Sequence, residues 1–141
     1  MYARGCLIGL TRGTTREHII RAAQESIAYQ SHDLLTAMAR DCGAPLTCLK
    51  VDGGASRDSF LMQFQADISD CPIHRPVIRE TTALGAAYLA GLAVGVWSSR
   101  DELQKMWHCD RIYAPEMPDD RRTSLLAGWD KAVGRSLGWA K

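Results

Sequence analysis

The sequence has no excess of charge of either sign: 17 lysines and arginines stand against 16 aspartates and glutamates. That balance removes the electrostatic footprint expected of a nucleic-acid binder, and a short basic pair such as Arg121-Arg122 reads as a solvated helix face. No Cys-x-x-Cys pair is present. The five cysteines (Cys6, Cys42, Cys48, Cys71 and Cys109) are odd in number and scattered, which argues against a disulfide or zinc framework. They predict reduced, mostly buried thiols in a cytoplasmic protein. The N-terminus lacks the apolar core of a signal peptide. The longest apolar run, "ALGAAYLAGLAVGVW" at 83–97, is shorter than the roughly 18 residues of a membrane span. Its Gly91 and Gly95 suit close packing inside a soluble domain. Neither the P-loop pattern nor the dinucleotide fingerprint occurs, and His18, His32, His74 and His108 fall at no metal-like spacing. With no internal repeat, linker or low-complexity tract, the 141 residues read as one ordinary domain or part of a larger one.

What is there alternates between strand and helix. "CLIGL" at 6–10 is strand-like, and Thr14 or Thr15 caps a helix running to about Arg40, with Ile20, Ala23, Ile27, Leu34 and Met38 on its buried face. Gly43 and Pro45 stop it. "TCLKVD" at 47–52 is a second strand, followed by a helix for which Ser56 is the expected cap and Leu61, Phe64 and Ile68 the shared face. "PIHRPVI" at 72–78 is extended, and Pro76 predicts an edge strand. Thr81-Thr82 opens the Ala/Gly-rich helix, whose small residues permit close approach to a neighbour. Ser99 to Glu102 has the spacing of a capping box for a helix carrying Leu103, Met106 and Trp107. A loop at 113–120 leads to a last helix with Leu126, Trp129, Val133 and Leu137 on one face. The four tryptophans, Trp97, Trp107, Trp129 and Trp139, read as packing residues. This order predicts an α/β domain with parallel pairing.

The stretch "VDGGASRD" at 51–58 puts two glycines where a strand hands over to a helix. A glycine pair removes side chains and lets the backbone approach a phosphate, a base or only a neighbouring strand. Asp52-Gly53 is also a common turn dipeptide, and Asp52 is better read as setting the turn than as a base. The position favours a ligand, because open α/β sheets bind ligands beyond the carboxyl ends of their strands. Backbone amides and the positive end of a helix there suit a phosphate or the edge of a nucleotide. Glu80, ahead of Thr81-Thr82, is expected to interact with a helix N-terminus, with no catalytic role.

Three segments, "RGCLIGLTRGTTREHIIRAAQESIAYQ", "LKVDGGASRDSFLMQFQADI" and "ETTALGAAYLAGLAVGVW", together resemble the C-terminal domain of the FGGY family of carbohydrate kinases, and within it the glycerol kinases. The resemblance runs from Tyr2 to about Trp139. It implies an incomplete actin-like (ribonuclease H-like) ATPase domain, with 1–141 the C-terminal part of the C-terminal FGGY domain. It further implies an ATP/ADP site lined by Gly53, Gly54 and Ala55, with Asp58 facing adenine where relatives usually carry Asn. An ionised Asp only accepts hydrogen bonds, and the adenine amino group could donate to it. Gln24 also departs from the family pattern, at a position usually apolar. The catalytic base, the glycerol-gripping residues and the phosphate loops of such kinases lie upstream of the matching residues. The chain is thus expected to begin at a Met replacing the residues usually found before "YARG", and to be inactive alone. Mg2+ is expected only for the complete enzyme, and glycerol only through an N-terminal portion. The expected partners are a nucleotide, a second copy or a separate N-terminal kinase fragment, without nucleic acid or a membrane span. The alternative is a non-catalytic nucleotide-binding or interaction remnant.

Overall fold

The computed structural model describes Tyr2 and residues 4–139; Met1, where the similarity is expected to break off, lies outside the described residues. The first long helix forms between its expected end signals. Helix α1 (Arg16–Cys42) starts after Thr15, whose backbone N–H is accepted by His18 Nδ1 at 3.1 Å. It ends at Gly43, whose left-handed φ of 65° lets its N–H turn back to the Arg40 carbonyl. Strand β1 (Leu49–Lys50) follows, then a single 3₁₀ turn (Gly54–Arg57) and helix α2 (Ser59–Ser69). Strand β2 (Ile73–Pro76), helix α3 (Thr81–Ala93), helix α4 (Arg100–Lys105), strand β3 (Cys109–Tyr113) and helix α5 (Asp119–Ser136) complete the order.

The sheet order is β1-β2-β3. Parallel pairing sets Leu49 opposite Ile73, whereas β3 runs antiparallel to β2, with Ile73 opposite Tyr113. Three expectations are corrected here. The strand at 72–78 is central, not an edge: Pro76 sits at its last position, across a register irregularity, where a missing N–H costs no regular ladder bond. Strand β3 forms where no strand was expected and takes in the first residue of the expected loop, so pairing is not purely parallel. The segment 6–10 forms no strand; its residues are exposed and have no ladder partner among the described residues.

The core lies where α2 meets α1 on one side and β2 and β3 on the other. Leu61, Phe64 and Ile68 are buried as their spacing required, with Ala28 and Tyr29 from α1, Ile73 from β2 and Tyr113 from β3. Tyr29 stacks on Trp129 of α5 at 5.2 Å and meets the Phe64 ring edge-on at 5.5 Å. The face expected of α1 is corrected: Ile20, Ala23, Ile27, Leu34 and Met38 are all exposed, and the helix is buried at Ala28 and Tyr29 instead. Among the cysteines only Cys71 is buried; Cys6, Cys42 and Cys109 are exposed, and all five are free thiols. Trp139 and Leu137 are likewise exposed rather than packed.

Helix α3 stops three residues before Trp97's neighbour Val96, and the chain then folds back. Trp97 lies against Gly91 so closely that a methyl group there would overlap the indole, and it meets Tyr88 edge-on at 5.2 Å. This is the close approach the small residues permit. At α4, Ser99 Oγ accepts the Glu102 N–H at 3.3 Å, while the Glu102 carboxylate accepts the Ser98 N–H at 2.8 Å. Met106 and Trp107 fall just beyond that short helix. No helix among the described residues is long and apolar enough to cross a membrane.

Candidate functional site

Just beyond the end of β1 the chain becomes bare of side chains. Val51 still pairs with the His74 carbonyl at 3.1 Å, and Asp52 is exposed. Gly53 then adopts φ 76° and ψ −177°, a region essentially reserved for glycine. Its N–H donates to the Arg79 carbonyl at 2.8 Å, and its carbonyl accepts both the Ser56 N–H at 3.3 Å and the Ser56 hydroxyl at 2.7 Å. Among the described residues other than each one's chain neighbours, nothing lies within 4 Å of where a Cβ would stand on Gly53 or Gly54. Gly54 and Ala55 are exposed. The three residues therefore make an open shelf of backbone at the carboxyl end of a strand, where a flat ligand can lie close to the main chain.

Asp58 closes the shelf. Its Oδ1 accepts the Phe60 and Leu61 amides at 2.9 and 3.2 Å, which makes it the N-cap of α2. Its Oδ2 accepts Gln24 Nε2 of α1 at 2.7 Å. The expectation that Ser56 caps this helix is corrected: Ser56 is only 1 % exposed, inside the 3₁₀ turn, with its hydroxyl spent on Gly53. The helix amides expected to attract a phosphate are already engaged by a carboxylate of this chain. A carboxylate offers about four lone-pair positions, so Asp58 keeps one acceptor for an outside donor.

Beneath the turn lies Arg75 of β2, 8 % exposed. Its Nη1 donates to the Ser56 carbonyl at 3.3 Å, and its Nε and Nη2 reach Asp110 Oδ2 of β3 at 2.9 and 2.8 Å. That hydrogen bond, foremost, holds the Asp110 carboxyl below its ordinary value. Arg79 adds a longer contact to the same oxygen at 3.4 Å, while its Nε is buried with no hydrogen-bond partner among the described residues. Sequence reading missed Arg75 and Asp110, since neither motif nor periodicity marks them. Glu80 holds the N-cap position of α3 without a side-chain cap bond and lies 3.9 Å from Arg57. Among the described residues no group of three or more His, Cys, Asp or Glu is placed to hold a metal. The larger concavity, about 640 Å³ between β2, α3 and α4, is lined by Val77, Leu84, Tyr88, Met106 and Trp107 and excludes the shelf.

Comparison with known proteins identifies the family. The family described as "FGGY family of carbohydrate kinases, C-terminal domain" matches residues 2–94. The chain is 61 % identical, over all 141 residues, to a glycerol kinase of Caldanaerobacter subterraneus subsp. tengcongensis. It is 59 % identical over 140 residues to a glycerol kinase of Brachyspira hyodysenteriae. The chain spans 28 % of the length of each of these curated relatives. Among solved structures, a crystal structure of Plasmodium falciparum glycerol kinase with ADP superimposes with a TM-score of 0.84 at 37 % identity, covering 96 % of this chain and 27 % of that one.

Proposed function

The chain belongs to the FGGY family of carbohydrate kinases, and from that premise we propose that it is the nucleotide-binding C-terminal part of a glycerol kinase, which converts ATP and glycerol to ADP and sn-glycerol 3-phosphate. The fold is the α/β arrangement shared with solved FGGY sugar kinases, an actin-like ATPase fold. The observation that carries the reading is the open backbone shelf of Gly53, Gly54 and Ala55 beside Asp58. On this reading adenosine lies on the shelf, and the adenine amino group donates to the free lone pair of Asp58. The cradle fits: it is empty where side chains would stand.

The described residues supply no group to hold Mg2+, so the ion belongs with the nucleotide phosphates and with residues of the complete enzyme. The glycerol pocket and the catalytic base belong there too. Residues 1–141 are read as one unit of the C-terminal domain, working in the cytoplasm. The exposed Leu7, Ile8, Leu34 and Leu89 suit an N-terminal kinase portion or a second copy as the covering partner. The alternative is a non-catalytic remnant that keeps the nucleotide half-site.

Calorimetric titration of the chain with ADP tests the shelf, and absence of binding overturns the reading. Coupled assay of glycerol phosphorylation, with the chain alone and mixed with an N-terminal kinase fragment, separates the alternatives. The kinase reading expects no turnover alone and turnover on mixing; the remnant reading expects none in either case.

A further inference from the structure

We propose that Arg75 and Asp110 are positioning residues that hold the glycine turn in its nucleotide-accepting shape from below. This rests on the nucleotide reading given above. The inference starts from a carbonyl. A 3₁₀ turn leaves its last carbonyls without partners inside it, and one that is buried loses much stability if left unpaired. Ala55 settles its carbonyl on the Asp58 N–H at 3.1 Å. The Ser56 carbonyl, on a residue only 1 % exposed, is met by the Arg75 guanidinium at 3.3 Å.

A buried guanidinium needs a counter-charge, and Asp110 supplies it by accepting both Nε and Nη2 on one oxygen. The plane of Arg75 is thereby fixed, with Nη1 left pointing at the turn. The Tyr113 ring, 5.4 Å from the guanidinium carbon, backs it from the same strand that carries Asp110. The second end of the turn is tied to the same carboxylate: Gly53 donates to the carbonyl of Arg79, whose side chain reaches Asp110 at 3.4 Å. Both ends of the shelf thus lead to one carboxylate on β3. That strand lies outside residues 2–94, so the part of the chain beyond the matched family region shapes the site.

The test compares Asp110→Asn, Asp110→Glu and a control, Asp119→Asn, in the 141-residue chain, by amide hydrogen exchange and by ADP titration. Asp110→Asn keeps the size of the side chain and removes its charge. The Ser56 and Asp58 amides should then exchange about 10-fold faster, while Phe64 and Ile68 in α2 stay as protected as before. ADP affinity should fall about 5-fold. Asp110→Glu should recover part of both losses, and Asp119→Asn should change neither. Unchanged turn exchange overturns the proposal. So does equal acceleration in the turn and in α2, which would mean a general loss of stability, and so does a loosened turn with unaltered ADP affinity. If the unmodified chain binds no ADP, the nucleotide reading fails, and turn exchange alone decides whether these residues position the turn.

Discussion

Gln24 and Asp58, 34 positions apart, are joined by a hydrogen bond of 2.7 Å from the Gln24 side-chain amide to Asp58 Oδ2. Both are positions where the resemblance implies a departure from the family pattern, and the fold brings them together. The carboxylate uses one oxygen to cap α2 and the other to receive Gln24, so α1 and α2 are tied at the edge of the shelf. Asp58→Ala should cost about 1–2 kcal/mol through the lost cap. Gln24→Leu should cost about 1 kcal/mol, and the double variant less than the sum. Urea unfolding of the four proteins measures this, and strict additivity would falsify the coupling.

The two glycines should fail differently. Gly53 sits at φ 76°, so Gly53→Ala imposes strain of about 1–3 kcal/mol and lowers the unfolding midpoint. Gly54 has no such conformation and open space around it, so Gly54→Val should leave stability within about 0.5 kcal/mol. Its branched side chain would stand where the nucleotide lies. ADP titration should therefore show a large loss for Gly54→Val and none for Asp119→Ala; equal affinities would count against the shelf.

Alkaline stability should report on Tyr29. Burial, with help from the Glu25 carboxylate, pushes its phenol from 10.0 up to about 12. Below pH 10 both states keep the proton and the contribution is complete. Between 10 and about 12 the unfolded chain gives the proton up while the folded one retains it, so stability falls as pH rises and the contribution is gone above that window. Tyr29→Phe should flatten this part of the curve. Urea midpoints across the window that fall equally in both proteins would refute it.

The chain on its own should self-associate. Leu7, Leu34, Leu89 and Val94 are between 63 and 78 % exposed, and β1 is paired on one side only among the described residues. Dynamic light scattering should show species larger than a monomer, resolving into one complex when an N-terminal kinase fragment is added. A monodisperse monomer with a cooperative, high-temperature transition would overturn this.

The ends of α1, the buried side of α2 and the glycine turn after β1 were legible because their signals are local. Thr15 and Gly43 mark the two ends of α1, and the spacing of Leu61, Phe64 and Ile68 marks the buried side of α2. The cap of α2 was misread as Ser56 because both it and Asp58 are good cap residues, and only the intervening 3₁₀ turn decides which one meets the free amides. Strand β3 was invisible because four of its five residues are exposed: what makes it a strand is backbone pairing with β2, and pairing leaves no periodicity in the side chains. Arg75 was invisible for the same reason, its partners lying 19 and 35 positions away. The opposite error occurred at 6–10, where a strand-like pattern found no neighbour to pair with.

The fold-back of Trp97 onto Gly91 bears on how this gene can drift. Every amino-acid replacement reachable from a glycine codon by one base change brings a Cβ. At Gly91 that atom would occupy the indole's place, so even alanine, the mildest of them, forces Trp97 off the helix. A Trp97 variant with a smaller side chain removes the obstacle. The order of mutations then matters: a change at 97 opens position 91 to variation, while a change at 91 made first meets selection at once. Position 91 should therefore vary only where position 97 has already changed, and a two-site saturation library scored for folded protein will show Gly91 replacements depleted where Trp97 is retained.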